Sequence, residues 1–290
     1  MWDKNPSIPC DASSLPQPGN TVANAQDLVK LIWQRYNTGK PIGVYRVVNM
    51  STATCLMVLS GTQPFTPQST GPLEDVASAL GMNDGFRQAI IEHMGSADFA
   101  SVCPPGSRLI LAGHSLGGME AQLVAADPRT AALGYQPMAV ITFGSPKVAP
   151  EAMQTNSAGG ITGFTLYRRF TTIGDPIPYS TRGLGAFQPT NQIYVDDRSP
   201  AQKAQIIAYT DGLIDTTLNT RLGLLAWIAM GAMGPHMAYP CVRMLADDFD
   251  ALGNRISSPG SGTQLILAPA PDQKFYSAPS RLGVTPLSKR

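Results

Sequence analysis

The chain contains 290 residues, of which 43% are apolar and 14% are charged. This composition is typical of a folded protein with a hydrophobic core and excludes a solvated, disordered chain. The 21 basic and 20 acidic residues give a net charge of +1, so the charge balance does not support binding to nucleic acid or another polyanion. A chain of this length buries enough apolar surface to be stable without a structural metal, and we expect no metal and no cofactor.

In chain order, the first 22 residues are rich in Pro, Ser and Asn and are predicted to form an irregular arm. Apolar residues at helical spacing then predict a helix over residues 23–36. Two β-rich runs at 43–48 and 54–59 predict a pair of strands. A loop is expected over 61–71, followed by a helix from residue 72 and another over 85–94.

The pattern then changes to a strand over 108–112, a helix over 116–126 and a strand over 139–143. Strand, tight turn, helix and strand form a βαβ unit, which predicts an α/β protein with a mostly parallel sheet flanked by helices. The remaining predictions are a strand over 164–170, helices over 217–230 and 240–252, and a Pro- and Gly-rich extension over 255–290 with one β-like stretch at 264–267. Because no repeat or strong linker is evident, we expect a single domain over residues 1–290.

The four cysteines form no CxxC pair, which argues against a zinc knuckle. Cys55 lies in an apolar run and is predicted to be a buried thiol. Cys10 and Cys103 lie beside prolines in loop-like segments and are the pair that we expect first to form a disulfide, and the state of Cys241 is left open. The first residues contain no basic segment followed by an apolar one, so no secretory signal is expected there. For the location of the protein, secretion with the signal already removed is favoured over the cytoplasm.

The run LGLLAWIAMGAMG at residues 222–234 consists of small and apolar residues. It is shorter than the about 20 residues that a membrane span needs, and Pro235 and His236 interrupt it. The sequence therefore predicts no transmembrane segment, and a transient contact with a lipid surface stays open.

The turn of the βαβ unit carries GHSLGG at residues 113–118, which contains the G-x-S-x-G pattern. The pattern stands between a predicted strand and a predicted helix, which is the context that a nucleophile elbow requires. A strained turn projects the serine hydroxyl outward, and the N-terminus of the helix favours an oxyanion. Ser115 is therefore predicted to be a nucleophile, the alternative being that it only caps the helix.

A serine hydroxyl needs a base to react at neutral pH, and imidazole has a suitable pKa. The chain contains three histidines. The His114 side chain is expected to point away from that of Ser115, and His93 lies near a helix C-terminus that favours a cation, so both are interpreted as structural. Elimination leaves His236 as the base, the alternative being a loop histidine without a catalytic role.

The third member of such a triad is a carboxylate that lies between Ser and His in α/β-hydrolases. Asp175 is favoured because it follows a predicted strand in the rigid loop GDPIP, and Asp196 or Asp197 comes next. Alternatively, Asp175 only caps a turn before proline. The acids that qualify by position are Glu151, Asp175, Asp196, Asp197, Asp211 and Asp215.

An oxyanion hole needs two backbone N–H donors. The amide of Leu116, directly after the nucleophile, is predicted to be one. The second is expected from residues 60–63, the loop after an earlier strand, with Thr62 as the candidate; Thr62 is equally an ordinary turn residue.

These segments together resemble the fungal-type, or class 3, triacylglycerol lipases of the α/β-hydrolase superfamily. The matching stretches are LSGT at 59–62, AGHSLGG at 112–118, TFGSPKV at 142–148 and GDPIP at 174–178. The resemblance spans residues 43–239 and implies an α/β-hydrolase fold. It also implies that Asp175 is the triad aspartate and that Thr62 belongs to the oxyanion hole.

Two departures from the family pattern are evident. The chain has Ser60 where the family often has arginine, and Tyr239 alone remains of an acidic-aromatic pair that often follows the catalytic histidine, so His236 rests on elimination. The family's lid corresponds to residues 63–81. The more apolar run over 222–233, centred on Trp227, is interpreted equally as an acyl-chain wall or as a core helix.

The sequence therefore favours a serine ester hydrolase that cleaves acyl esters of lipids in the manner of a triacylglycerol lipase, through an acyl-enzyme. Phospholipase A1 and short-chain carboxylesterase activities are the alternatives within this class. The alternative from another class is a non-catalytic lipid-binding or effector protein on a hydrolase scaffold.

Overall fold

The computed structural model describes residues 19–61, 85–146, 166–175, 177–179, 192–213 and 234–268. Several predictions lie outside these residues: most of the N-terminal arm, Thr62, the lid segment 63–81, the helix over 217–230 and the apolar run over 222–233.

A six-stranded sheet lies at the centre of the described part. The strands are β1 Thr21–Val22, β2 Ile42–Val47, β3 Thr54–Leu59, β4 Arg108–His114, β5 Gln136–Phe143, β6 Leu166–Thr172, β7 Gln192–Val195 and β8 Leu265–Ile266. Strands β2 to β7 form the six-stranded sheet, and β1 and β8 pair antiparallel in a separate two-stranded sheet. The sheet order is β2-β3-β4-β5-β6-β7, with β2 antiparallel to β3 and every other pair parallel. The expected fold, a mostly parallel sheet flanked by helices, is confirmed. Because β3 to β6 run in one direction, their carboxyl ends meet at one edge.

Helices cover both faces of this sheet. They are α1 Ala25–Asn37, α2 Gly85–Met94, α3 Ala97–Val102, α4 Leu116–Ala126, α5 Pro128–Ala132, α6 Pro200–Leu213, α7 Gly234–Met237 and α8 Met244–Asp247. Helix α1 begins after Asn24, whose side chain accepts a hydrogen bond from the Asp27 amide at 2.9 Å. None of the described helices is long and apolar enough to cross a membrane.

The apolar run of β4 is buried on both sides. Ile110 and Ala112 belong to the core beneath α1, whereas Leu109 and Leu111 belong to the core beneath α4. A strand that is buried on both faces reads as a continuous apolar run, which is why the sequence predicted it.

The helix predicted over 240–252 is wrong. The segment forms a short 3-10 helix at Tyr239–Cys241, then α8, and then a turn around Asp250. The Asp250 carboxylate accepts hydrogen bonds from the amides of Leu252 at 2.9 Å and Asn254 at 2.8 Å, and Gly253 has a φ of +73°. A buried carboxylate that binds its own backbone favours a turn over a helix.

Both cysteine predictions are also wrong. Cys55 and Cys103 form a disulfide, and Cys241 is also disulfide-bonded. Cys55 is therefore not a free thiol, and Cys103 does not pair with Cys10. Cys55 lies on β3 opposite Leu109 of β4, and Cys103 packs against the same core just before β4 begins. The bond joins residues 48 apart and, by loop entropy, stabilises the fold by about 4 kcal/mol.

Candidate active site

Ser115 occupies a strained turn between β4 and α4. Its φ is 55° and its ψ is −127°, and it is the one non-glycine residue with positive φ in the described part of the chain. Its amide donates to the carbonyl oxygen of Phe143 at 3.0 Å, which ties the turn to the end of β5. This backbone has the strained strand-to-helix form expected of a nucleophile elbow.

Close backbone contacts explain the glycines of this turn. A methyl group added at Gly113 would lie 2.2 Å from the carbonyl oxygen of Gly117, and one added at Gly117 would lie 2.3 Å from that of Leu59. Only glycine permits α4 to approach β3 and β4 so closely. The loop after β3 also meets the nucleophile, because a methyl group at Gly61 would lie 2.8 Å from Cβ of Ser115.

Leu116 is the first residue of α4, so its amide belongs to the first turn, where backbone N–H groups lack partners within the helix. The amides of Gly118 and Met119 donate to the Ser115 carbonyl oxygen at 3.0 and 3.1 Å. This end of the helix therefore lies beside Ser115 with its dipole favouring negative charge. Thr62, the other predicted oxyanion donor, follows Gly61 but lies outside the described residues.

His236 and Asp175 form a buried pair. His236 lies in α7, and its Nδ1 is 3.0 Å from each carboxylate oxygen of Asp175; the side chains are 1% and 0% exposed. A carboxylate accepts hydrogen bonds, so Nδ1 carries the proton and Nε2 of the neutral ring is the basic nitrogen. Nε2 is buried and makes no hydrogen bond, to Ser115 or to any other described residue. It is free to accept a proton.

Tyr239 completes the surroundings of Asp175. Its hydroxyl donates to Oδ2 of Asp175 at 2.5 Å and accepts from the Thr172 amide at 3.0 Å, while the Ile177 amide donates to Oδ1 at 3.0 Å. Burial, and next the neighbouring carboxylate, raises the pKa of Tyr239 well above its ordinary value, so the phenol remains a donor. Sequence reasoning noted Tyr239 only as a remaining aromatic and missed this contact.

Gly144, at the end of β5, is a second residue that sequence reasoning missed. Its φ is +56°, and a methyl group there would lie 2.6 Å from Oδ2 of Asp175 and 2.9 Å from Nδ1 of His236. The sequence signal for a role of Gly144 was present in TFGSP, the stretch at residues 142–146 that carries part of the family resemblance. The structure gives a physical reason for glycine at this position, because the His236–Asp175 pair packs directly on it.

The strand ends bring these residues to one edge of the sheet. Ser115 follows β4, Gly144 follows β5 and Asp175 follows β6. The hydroxyl of Thr172, the last residue of β6, donates to the Pro235 carbonyl oxygen at 2.8 Å and holds the segment that carries His236. The ring of His114, next to Ser115, lies 4.5 Å from the His236 ring between centroids. Ser115 and His236 are thus on the same side of the molecule.

The other acids proposed for the triad have different contacts or are not described. Asp196 is paired with Arg198, whose Nε lies 2.8 Å from Oδ1. Asp197 accepts hydrogen bonds from the amides of Arg243 at 2.6 Å and Met244 at 3.0 Å, at the start of α8. Glu151, Asp215 and the side chain of Asp211 lie outside the described residues.

His93 differs from its expected charge state. Burial lowers its pKa to about 4, against a smaller opposing effect of Asp98, so the ring is neutral near pH 7 and supplies no cation to the C-terminus of α2. Desolvation outweighs the helix dipole here.

A cavity of about 450 Å³ in the described part of the chain lies away from the site. It lies beside β7, is lined by residues such as Arg168 and Arg255, and contains none of the residues proposed for the triad. Across the described ranges, no group of three or more His, Cys, Asp or Glu side chains is placed to hold a metal ion. The site is therefore recognised by its backbone strain and hydrogen bonds.

Comparison with known proteins supports the resemblance seen in the sequence. Residues 73–182 match the model of the lipase (class 3) family. The matched segment includes Ser115, Gly144 and Asp175 and ends before His236. No curated protein matches the chain.

Proposed function

From the match of residues 73–182 to the class 3 lipases, we propose that this chain is a serine ester hydrolase that cleaves acyl esters of lipids through an acyl-enzyme. One observation carries the proposal: the buried His236–Asp175 pair, with Nε2 free, lies at the same sheet edge as a serine on a strained strand-to-helix turn. A helix cap alone does not require such a pair beside it.

In this mechanism Oγ of Ser115 attacks the ester carbonyl carbon, and its proton passes to Nε2 of His236. Asp175 holds the ring through Nδ1 and stabilises the imidazolium. The oxyanion is bound by the amides of Leu116 and Thr62, each such donor contributing on the order of 3 kcal/mol in the transition state. The C–O bond then breaks, the alcohol takes the proton from Nε2, and water releases the acyl group by the same route.

Acylglycerols are the favoured substrates because the matched family is one of lipases. Phospholipids cleaved as by a phospholipase A1 come next, and short-chain esters third. A panel of p-nitrophenyl esters, emulsified triglyceride and phosphatidylcholine ranks the three by kcat/KM.

Labelling with a fluorophosphonate probe tests the mechanism. The wild-type chain should react covalently, and Ser115→Ala should not. Ser101→Ala is the matched control, because Ser101 is an exposed serine whose hydroxyl donates to the Asp98 carbonyl oxygen, and it should label like the wild type. Labelling that persists in Ser115→Ala would assign the nucleophile elsewhere. A wild-type chain that neither labels nor hydrolyses any ester would favour the non-catalytic lipid-binding alternative.

A further inference from the structure

His114 is a buried histidine that the mechanism above does not use. It is the last residue of β4, directly precedes Ser115 and is 3% exposed. Its Nε2 lies 2.8 Å from the main-chain carbonyl oxygen of His236. A carbonyl oxygen only accepts, so Nε2 carries the proton and donates, and Nδ1 of the neutral ring is unprotonated.

Three aromatic rings surround the His114 imidazole. Ring centroids are 4.5 Å away for His236, 5.0 Å for Trp33 of α1 and 5.6 Å for Tyr239. The His236 ring is tilted by 34° to that of His114, and the other two meet it closer to edge-on, at 61° and 63°. Packing from several sides fixes the ring plane, so the hydrogen bond to His236 has one available direction.

His114 is uncharged, which suits a residue that lies beside a catalytic base. Burial, and next the proximity of His236, holds the pKa of His114 well below its ordinary value. When His236 takes up the Ser115 proton, its neighbour therefore remains neutral and does not repel the imidazolium.

We propose that His114 is a positioning residue for His236, holding through its Nε2–H the main chain of the segment that carries the base. The proposal rests on the proposed hydrolase function and adds a structural link between the nucleophile and the base. Strand β4 carries the nucleophile and, through His114, also sets the position of the base. A displacement of about 1 Å between two reacting groups costs about 100-fold in rate, so a shared support for both groups matters.

Two variants separate the hydrogen bond from the packing. His114→Gln keeps an N–H donor at about the reach of Nε2, whereas His114→Phe keeps a flat ring without a donor. With p-nitrophenyl butyrate, His114→Phe should lower kcat about 10- to 100-fold with KM within about twofold, and His114→Gln should recover most of the loss. A kcat for His114→Phe within twofold of wild type, or equal losses in both variants, would overturn the positioning role.

Nuclear magnetic resonance of the chain labelled with ¹⁵N-histidine gives a readout that needs no activity. Because the chain has only three histidines, the spectrum contains few imidazole signals to assign. In the wild type, one imidazole should stay neutral between pH 5 and 8 with a solvent-protected Nε2 proton, and this signal should vanish in His114→Phe. The same variant should speed solvent exchange of the His236 Nδ1 proton. If these signals are found and no ester is hydrolysed, the proposed function alone fails. If esters are hydrolysed and no protected Nε2 proton is found, the role of His114 alone fails.

Discussion

At the scale of single residues, the site depends on how many donors hold one carboxylate. Asp175 accepts from His236 with both oxygens, from the Ile177 amide with one and from the Tyr239 hydroxyl with the other. The orientation of the carboxylate is therefore set by its own loop, through Ile177, and by the segment that carries both His236 and Tyr239. A carboxylate fixed in this way fixes the tautomer of the imidazole that it contacts.

The Tyr239 hydroxyl is a donor to Asp175 that a substitution can remove while the ring is kept. Tyr239→Phe keeps the ring, which packs beside Phe143, and deletes the bond to Asp175 and the acceptor for the Thr172 amide. We expect kcat on a soluble ester to fall about tenfold with KM nearly unchanged, because a hydrogen bond to a charged group contributes about 1.5–3 kcal/mol. Steady-state kinetics at pH 8 measures this.

Tyr135→Phe is the matched control. Tyr135 is equally buried, and its hydroxyl donates to the Cys103 carbonyl oxygen at 3.1 Å, in the core beneath α4. It should lose about 1 kcal/mol of stability and no kcat. Equal kcat in the two variants would show that the Tyr239 hydroxyl does not support the reaction.

The site residues that were predicted from the sequence and those that were missed differ in kind. Ser115 was predicted because a local pattern stood between a strand and a helix, and His236 because the chain has few histidines. Tyr239 and His114 could not be assigned, because their contacts join segments that meet only in the folded chain. Their hydrogen bonds leave no mark in spacing or composition.

At the scale of elements, the site is built where strands end. The sequence predicted β4 over 108–112 and β6 over 164–170, but both strands continue further, to His114 and Thr172. The missed residues include polar ones such as Thr171, which are buried at the sheet edge. Hydrophobic patterning predicts the apolar part of a strand, but it misses the end of the strand where the side chains at the site are polar.

The turn that ends β5 offers a test at this scale. Gly144→Ala would place a methyl group 2.6 Å from Oδ2 of Asp175, so the His–Asp pair must move or the turn must rearrange. We expect kcat to fall by about 100-fold or more, since a shift of about 1 Å has that effect, together with a loss of about 1–2 kcal/mol from the positive φ.

Gly260→Ala is the control that measures the loss of stability caused by a positive φ alone. Gly260 has a φ of +77°, and a methyl group there meets nothing within 4 Å. Urea unfolding should show a similar stability loss from backbone strain, while kcat stays at the wild-type level. If Gly144→Ala resembles Gly260→Ala in both measurements, packing of the His–Asp pair on this turn has no catalytic importance.

At the scale of the whole molecule, the fold decides how much of the His93 and His114 rings is removed from solvent and so how far their pKa values fall. Composition predicted a globular core, yet it could not predict that His93 would be neutral, because the amount of burial depends on how α2 packs. His93 and His114 both have pKa values below the ordinary value, with burial as the largest cause. Stability should therefore depend on pH below neutrality.

The sign of this dependence follows from proton uptake. Unfolded histidine binds a proton below about pH 6.5, whereas folded His93 does so only near pH 4. Between these values the unfolded state holds more protons, so the free energy of unfolding falls as the pH falls. His93→Gln removes the contribution of this residue and leaves the carboxylates and His114 in place. From pH 7 to pH 5, urea unfolding should show the wild type losing about 1 kcal/mol more than His93→Gln, allowing for partial exposure. Parallel pH profiles for the two proteins would show that His93 titrates alike in both states.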